Sequence, residues 1–215
     1  MWTLDPYVFK ASSEGLKVFD LASESLIQLA EFTGGINSVW ANDQHVYVAT
    51  TNSGIYRALL TTVTGTIVFE SYKSWPNITQ NQVNYLHGNG DYLLATTLSG
   101  VDRYKISTDD HDYVFVDDAT KCYQATTGDY YYIVSPNSSS DSLHTVYETG
   151  GGYIYGTDQQ IIITATGIND IYVTEGTSIY GGNLIFLATT FGAYLIEEKR
   201  ADEENCRKKI YLIET

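Results

Sequence analysis

The strongest constraint on the fold is a phrase that the chain writes and then rewrites. VYVATTNSGIYR occupies 46–57, YLLATTLSGVDRY 92–104 and IFLATTFGAYLI 185–196, and a worn copy, VFKASSEGLKVF, stands at 8–19. Each copy is a β-branched or aromatic run, a Ser/Thr break ending in glycine, and a second run, the pattern of two strands joined by a tight turn. The glycine is expected at positive φ. Around the copy at 46–57, INSVWAN precedes it as a short strand and TIVFESY follows as a fourth. VNYLHG, DYLLATT, VDRYKI and YVFVDD repeat the four beats over 83–118, and MWTL, PYVFKAS, GLKVFDL and SLIQLAEF open the chain with them. Residues 1–121 therefore hold three units of four strands. From 122 onward the beat blurs into ten strand-like runs, between two and three units, with SIYGG and QIIITA among them.

Four strands recurring about every 40 residues predict an all-β fold, a β-propeller. A four-stranded sheet cannot bury both faces alone, and blades packed around an axis cover one another. The alanine and threonines of the phrase are small, as crowding toward that axis requires. The 215 residues divide into five blades of 43, so a single five-bladed domain over 1–215 is expected, with six blades as the alternative. A two-sheet sandwich is the competing fold, but sandwiches do not repeat a phrase at this period.

The phrase resembles the repeat of the two-component-regulator type of propeller, an apolar run, Ala-Thr, a turn glycine and a second apolar run. The resemblance rests on three clear copies and one weak one. It implies the fold and little about function, because propellers host many roles. In size and composition the chain is also similar, more loosely, to small propellers of phage virions.

Composition limits the partners. A formal charge of −14 repels phosphate backbones, so nucleic acid is not expected as a partner. No apolar run reaches the roughly 18 residues of a bilayer-spanning helix, and MWTLDPYVFK lacks the basic start and apolar stretch of a signal peptide, so a cytoplasmic or virion location is expected. The sequons at Asn77 and Asn137 would matter only in a secretory pathway.

Chemical motifs are sparse. His45, His87, His111 and His144 lack HExxH spacing or a CxxC companion, so neither metal nor cofactor is expected. His45 and His87 read as surface or hairpin residues. TDDHD at 108–112 is the densest acidic stretch of the body, but it misses the alternating oxygens of a calcium loop and reads as an exposed turn between a third and a fourth strand. Glycoside hydrolysis needs two carboxylates about 5–10 Å apart. Asp170 and Glu175 are the acids near the first strand of a later blade, which does not make a catalytic pair. EEKRADEENCRKK, 197–209, reads as a solvated hairpin, with a partner-binding arm as the sharper alternative.

A non-enzymatic interaction module, a rigid disc docked among other proteins of an assembly such as a phage virion, is the function these features favour. A glycan-binding propeller is the alternative and a glycosidase-like enzyme the third. A multivalent lectin repeats an aromatic in every blade, and Trp2, Trp40 and Trp75 do not read as equivalent positions. The expected binding face carries the loops between second and third strands and those between blades. It is nearly uncharged and holds Asn52, Trp75, Asn77 and Asn137, with Trp75 as a contact anchor or as an inward plug.

Cys122 begins a first strand and Cys206 lies in a late hairpin, so both are expected as free thiols. Thiol labelling under denaturing, non-reducing conditions checks this. Both cysteines should take a label in the intact mass, and an unlabelled chain would show a disulfide.

Overall fold

The computed structural model describes residues 1–32, 34–65, 67–73, 82–115, 117–125, 130–136, 140–149, 152–155, 161–163, 167–174, 181–190, 192–199 and 207–213. The fold is a five-bladed β-propeller of small antiparallel sheets. The first blade is β1 (Trp2–Leu4), β2 (Tyr7–Ser12), β3 (Gly15–Asp20) and β4 (Ser25–Glu31). The second is β5 (Ile36–Ala41), β6 (His45–Thr50), β7 (Ile55–Leu59) and β8 (Glu70–Lys73), and the third is β9 (Val83–Asn89), β10 (Tyr92–Thr97), β11 (Gly100–Lys105) and β12 (His111–Phe115). The fourth holds β13 (Lys121–Gln124), β14 (Tyr130–Ser135), β15 (Asp141–Thr149), β16 (Gly152–Tyr155) and β17 (Ile161–Ile163), and the fifth β18 (Ile168–Thr174), β19 (Gly181–Thr189), β20 (Gly192–Lys199) and β21 (Arg207–Ile213). The chain divides into two compact units, Met1–Ala119 with three blades and Thr120–Thr215 with two. Among the described residues the one helical element is the 3₁₀ turn Leu60–Thr62, and no helix is long and apolar enough to cross a membrane.

The repeated phrase occupies the same place each time: VFKASS, VYVATT, YLLATT and IFLATT all form the second strand of their blade. Every second strand ends on a hydroxyl residue. In four blades that hydroxyl donates to the carbonyl of the turn glycine: Ser12 to Gly15 at 2.8 Å, Thr50 to Gly54 at 2.8 Å, Thr97 to Gly100 at 3.4 Å and Thr189 to Gly192 at 2.8 Å. The phrase slips by one residue in the third blade, where Thr97 rather than Thr96 takes this role. In the fourth, Ser135 pairs instead with His144 Nε2 at 2.7 Å. The four glycines have positive φ, as expected.

Alternation along a second strand sends side chains into two different cores. Val46 and Val48 of β6 pack with Phe9, Leu16 and Val18 of the first blade, while Tyr47 and Ala49 pack with Leu86, Leu93 and Tyr104 of the third. In the second unit Tyr132 and Leu143 meet Ile171, Ile185 and Leu187 in a single cluster. Each fully buried aliphatic contributes about 1.5–3 kcal/mol. Polar side chains add directional links between the second and third blades: Asn37 Nδ2 donates to Val83 O at 2.9 Å and Leu86 N donates to Ser38 Oγ at 3.1 Å, while Asn84 Nδ2 donates to Ala119 O at 3.1 Å just beyond the third blade.

Four local expectations change. The fourth strand of the second blade starts only at Glu70, because Val63 is fully buried and Ile67 and Phe69 pack against the core shared with the first blade instead of extending the ladder. QIIITA does not open a new blade: β16 and β17 pair with successive parts of the same edge of β15, so together they make one interrupted fourth strand. SIYGG falls largely outside the described residues. Glu197 and Glu198 are not in a solvated hairpin but are buried in β20, where Tyr132 donates to Glu198 Oε2 at 2.8 Å and Asn183 Nδ2 donates to the Tyr132 hydroxyl at 2.6 Å. His87 is buried, not exposed. Cys122 is a buried free thiol and Cys206 lies outside the described residues.

Gly15 tests the hairpin geometry. Its φ is +132°, and a Cβ there would stand 2.1 Å from the Ala30 carbonyl oxygen of β4. Gly15→Ala should therefore cost more than about 2 kcal/mol. Gly90 has φ +58° with open space around it, so Gly90→Ala should cost about 1 kcal/mol. Urea midpoints of the two variants read the difference, and equal midpoints would show that β4 does not confine this turn.

Candidate functional site

Of the expected face residues, Asn52 is described. It is exposed at the β6–β7 turn, beside Thr51, whose hydroxyl donates to Gly34 O at 3.1 Å, and Ser53, whose N–H donates to Thr50 Oγ1 at 2.9 Å. Trp75, Asn77 and Asn137 lie outside the described residues. The chain enters that stretch at Lys73, the last residue of β8.

Lys73 belongs to a cleft between the outer strands of the second and third blades. Its ammonium forms an ion pair with Asp109 and stands 4.9 Å above the Tyr72 ring and 5.0 Å from that of Tyr104. Arg57 lies over Tyr72 at 4.7 Å and donates from Nε to Glu70 Oε1 at 2.7 Å, across the β7–β8 register. The cavity measures about 280 Å³ and is lined by Arg57, Glu70, Ser71, Tyr72, Ile106 and Asp109. Burial pushes the Tyr72 hydroxyl up to about 12 and raises that of Tyr104 further, so both rings stay neutral. Asp109 takes a left-handed φ of 64°, which a short polar side chain tolerates, and its N–H donates to Lys105 O at 2.8 Å.

The acidic stretch at 108–112 is exposed, as expected of a turn, and its side chains are engaged. Thr108 donates to Asp110 at 2.6 Å, Asp109 pairs with Lys73, and Arg103 holds Asp112 through two bonds of 2.9 and 2.6 Å. His111 Nε2 meets Asp102 Oδ1 at 3.0 Å. Asp102 departs from the repeat: in the G-h-x pattern opening each third strand, its place is taken by Tyr56 in the second blade and Lys17 in the first. It is buried, and the imidazole stacks on Tyr104 with centroids 5.1 Å apart. An acid that orients a histidine is a general-base arrangement. The adjoining cavity, about 150 Å³ and lined by Tyr92, Arg103, Lys105, Asp110, His111 and Asp112, has no serine, threonine or cysteine among those residues for His111 to activate. Among the described residues no three His, Cys, Asp or Glu side chains cluster to hold a metal ion. Asp170 is exposed on β18, and Glu175 lies outside the described residues.

The register corrects one sequence reading. Counted three residues back from the hydroxyl that ends each second strand, the first-strand partners are Trp2 (opposite Phe9), Trp40 (opposite Tyr47), His87 (opposite Leu94), Tyr123 (opposite Tyr132) and Tyr172 (opposite Phe186). Trp2 and Trp40 are therefore equivalent positions, and an aromatic ring occupies that position in all five blades. In the first unit the Trp2 ring lies 6.1 Å from Trp40 and 6.5 Å from His87, and Trp40 covers Gly88, where a Cβ would come within 2.2 Å of the indole. From Trp40 the rings continue through Tyr47 (5.5 Å) to Tyr72 in the cleft (5.4 Å) and on to the buried Tyr104 (6.4 Å). In the second unit Tyr123 meets Tyr172 edge-on at 6.5 Å.

No protein-family model matches the sequence, and no curated protein does. Solved structures share the fold. The extracellular domain of the one-component system BT4673 of B. thetaiotaomicron superposes with a TM-score of 0.67 at 13% identity, over 99% of this chain and 27% of that one. The extracellular domain of the hybrid two-component system BT3049 of the same organism gives 0.63 at 18% identity, over 94% and 28%. Sqt1 of Saccharomyces cerevisiae gives 0.62 at 12%, over 90% and 55%. The chain thus spans little more than a quarter of the two bacterial domains. They come from the regulator class that the repeated phrase resembles, and the likeness is one of fold.

Asp102 generates a pH-dependent expectation. Burial raises its carboxyl above the ordinary value of 3.8, while the bond from His111 opposes the shift. Across that window the folded chain binds more protons than the unfolded one, so the site's contribution is full below 3.8 and is lost as pH rises through the raised value. Asp102→Asn keeps an acceptor for His111 and removes the titration. Its urea midpoint should gain on the wild type as pH rises through this window, then run parallel. A constant difference throughout would show that burial does not perturb Asp102.

Proposed function

We propose that this propeller is a non-enzymatic docking module that holds a protein partner of a larger assembly at the cleft between the second and third blades. The observation carrying this reading is the cover of the half-buried Tyr72 by both Arg57 and Lys73, each cation tied to its own carboxylate. Tyrosine and arginine dominate contact hot spots, and side chains already locked by ion pairs lose little freedom on binding. Glu70 and Asp109 are exposed at its mouth on a chain of net charge −14, so the partner's patch is basic. The assembly is a virion if the protein bands with purified particles, and a protein left wholly in the soluble fraction removes that extension.

A photo-crosslinking residue at Ser71 tests the reading in the source cells, with Glu24, in the exposed β3–β4 turn, as the control position. Ser71 should capture one defined protein that Glu24 does not, and Glu70→Lys should abolish the capture without moving the urea midpoint. Identical products from both positions, or capture that survives the charge reversal, would overturn it.

A further inference from the structure

We propose that the first strands of the fourth and fifth blades carry a binding site for a neutral saccharide, with Tyr172 as the stacking platform and Asp170 and Lys121 as its polar partners. This site is separate from the docking cleft, and neither depends on the other.

The proposal starts from the recurrent aromatic position. In the second and third blades that position is closed, and in the first it is half-buried at Trp2: Trp40 is 3% and His87 7% exposed, and Ser38, two residues before Trp40 on the same side of its strand, is 6% exposed. The second unit opens it. Tyr172 is 61% exposed, and Asp170, two residues earlier on the same side of β18, is exposed as well. The intervening Ile171 and the following Val173 are buried in the core. The strand is therefore firmly anchored while it presents a ring and a carboxylate outward.

The neighbouring strand completes the group. Tyr123 sets its ring at 78° to Tyr172, and Phe186 stands 6.4 Å from Tyr172 at 42°, so the platform is braced by two rings while most of its surface stays open. Lys121 lies two residues before Tyr123, as Asp170 lies two before Tyr172. The Tyr123–Tyr172 contact sets β13 against β18, so Lys121 and Asp170 stand at matching places on adjoining first strands, Lys121 Nζ donating to Thr120 O at 3.4 Å and Asp170 Oδ1 accepting from Ile171 N at 3.0 Å; burial pulls the Lys121 ammonium down and the Asp170 charge opposes that shift.

The chemistry selects the ligand. An open ring face carries negative quadrupole density that attracts the polarised C–H groups of a pyranose. A carboxylate accepts, and an ammonium donates, the hydrogen bonds that hydroxyls need. One charge of each sign leaves no net charge: Lys121 disfavours a cationic ligand at the ring and Asp170 an anionic one. A neutral polyhydroxylated ring suits all of these groups. In the docking cleft, by contrast, Tyr72 has Arg57 at 4.7 Å and Lys73 at 4.9 Å from its ring.

Saturation-transfer NMR against methyl glycosides of glucose, galactose, mannose and N-acetylglucosamine, and against their short oligomers, tests the site on the full chain. At least one neutral sugar should receive transfer at its ring protons and shift the Tyr172 ring signals. Tyr172→Ala, a change at an exposed position, should weaken that binding about tenfold or more, and Asp170→Ala should weaken it as well. Stronger transfer to oligomers than to single sugars assigns a glycan chain as the source, and equal transfer assigns free sugar. No transfer to any of these sugars, or transfer that Tyr172→Ala leaves unchanged, overturns the proposal.

Discussion

A small sheet with two apolar faces has to be covered on both, and the rest of this structure depends on that requirement. Tyr47 and Val48, adjacent in one strand, are both fully buried because they face different neighbours. No single blade could keep both dry. Two successive cores join the three blades of the first unit, so that the second blade is covered on both faces, and one core joins the two blades of the second unit. Polar atoms at these contacts are tolerated where they are paired, as with the Asn37 amide on a backbone carbonyl of the third blade.

The hydroxyl that closes each second strand serves a different purpose. It fixes where the hairpin turns and thereby which residues face which core. A one-residue slip would exchange the two faces of a strand. The third blade shows how the fold absorbs such a slip: its Ala-Thr-Thr is displaced by one, yet Thr97 still reaches Gly100 and Leu93 still reaches the core. Sequence similarity and structural equivalence thus differ by one residue there, and the hydroxyl is the better guide.

This distinction explains what could be read from the chain alone. The four-beat rhythm, the hairpins and the turn glycines are local and were legible, so five blades followed. β17 was not, because a fourth strand interrupted between Tyr155 and Ile161 looks like two strands in sequence. The shortened β8 was hidden because Ile67 and Phe69 read as strand-like whether they pack against a core or extend a ladder. The aromatic position was missed because its residue types vary from Trp to His to Tyr, and only counting back from the hydroxyl aligns them. Asp102 and His111 sit nine residues apart in a stretch that reads as a solvated turn, and only the β11–β12 pairing brings them together. In the expected contact face the sequence had placed Trp75, Asn77 and Asn137 beside Asn52. The cleft was foreshadowed by the arginines of SGIYR and SGVDR, which recur at one strand position and each take a carboxylate from the strand alongside.

The clustering of Trp2 and Trp40 has a consequence for observing this protein. All three tryptophans lie between residues 1 and 119, so the second unit contains none. Indole emission excited at the red edge is a reporter of half the molecule. Loss of order confined to Thr120–Thr215 would leave that signal untouched while the far-ultraviolet dichroism of the strands declined. The two optical traces therefore separate the melting of one unit from that of the other without any added label.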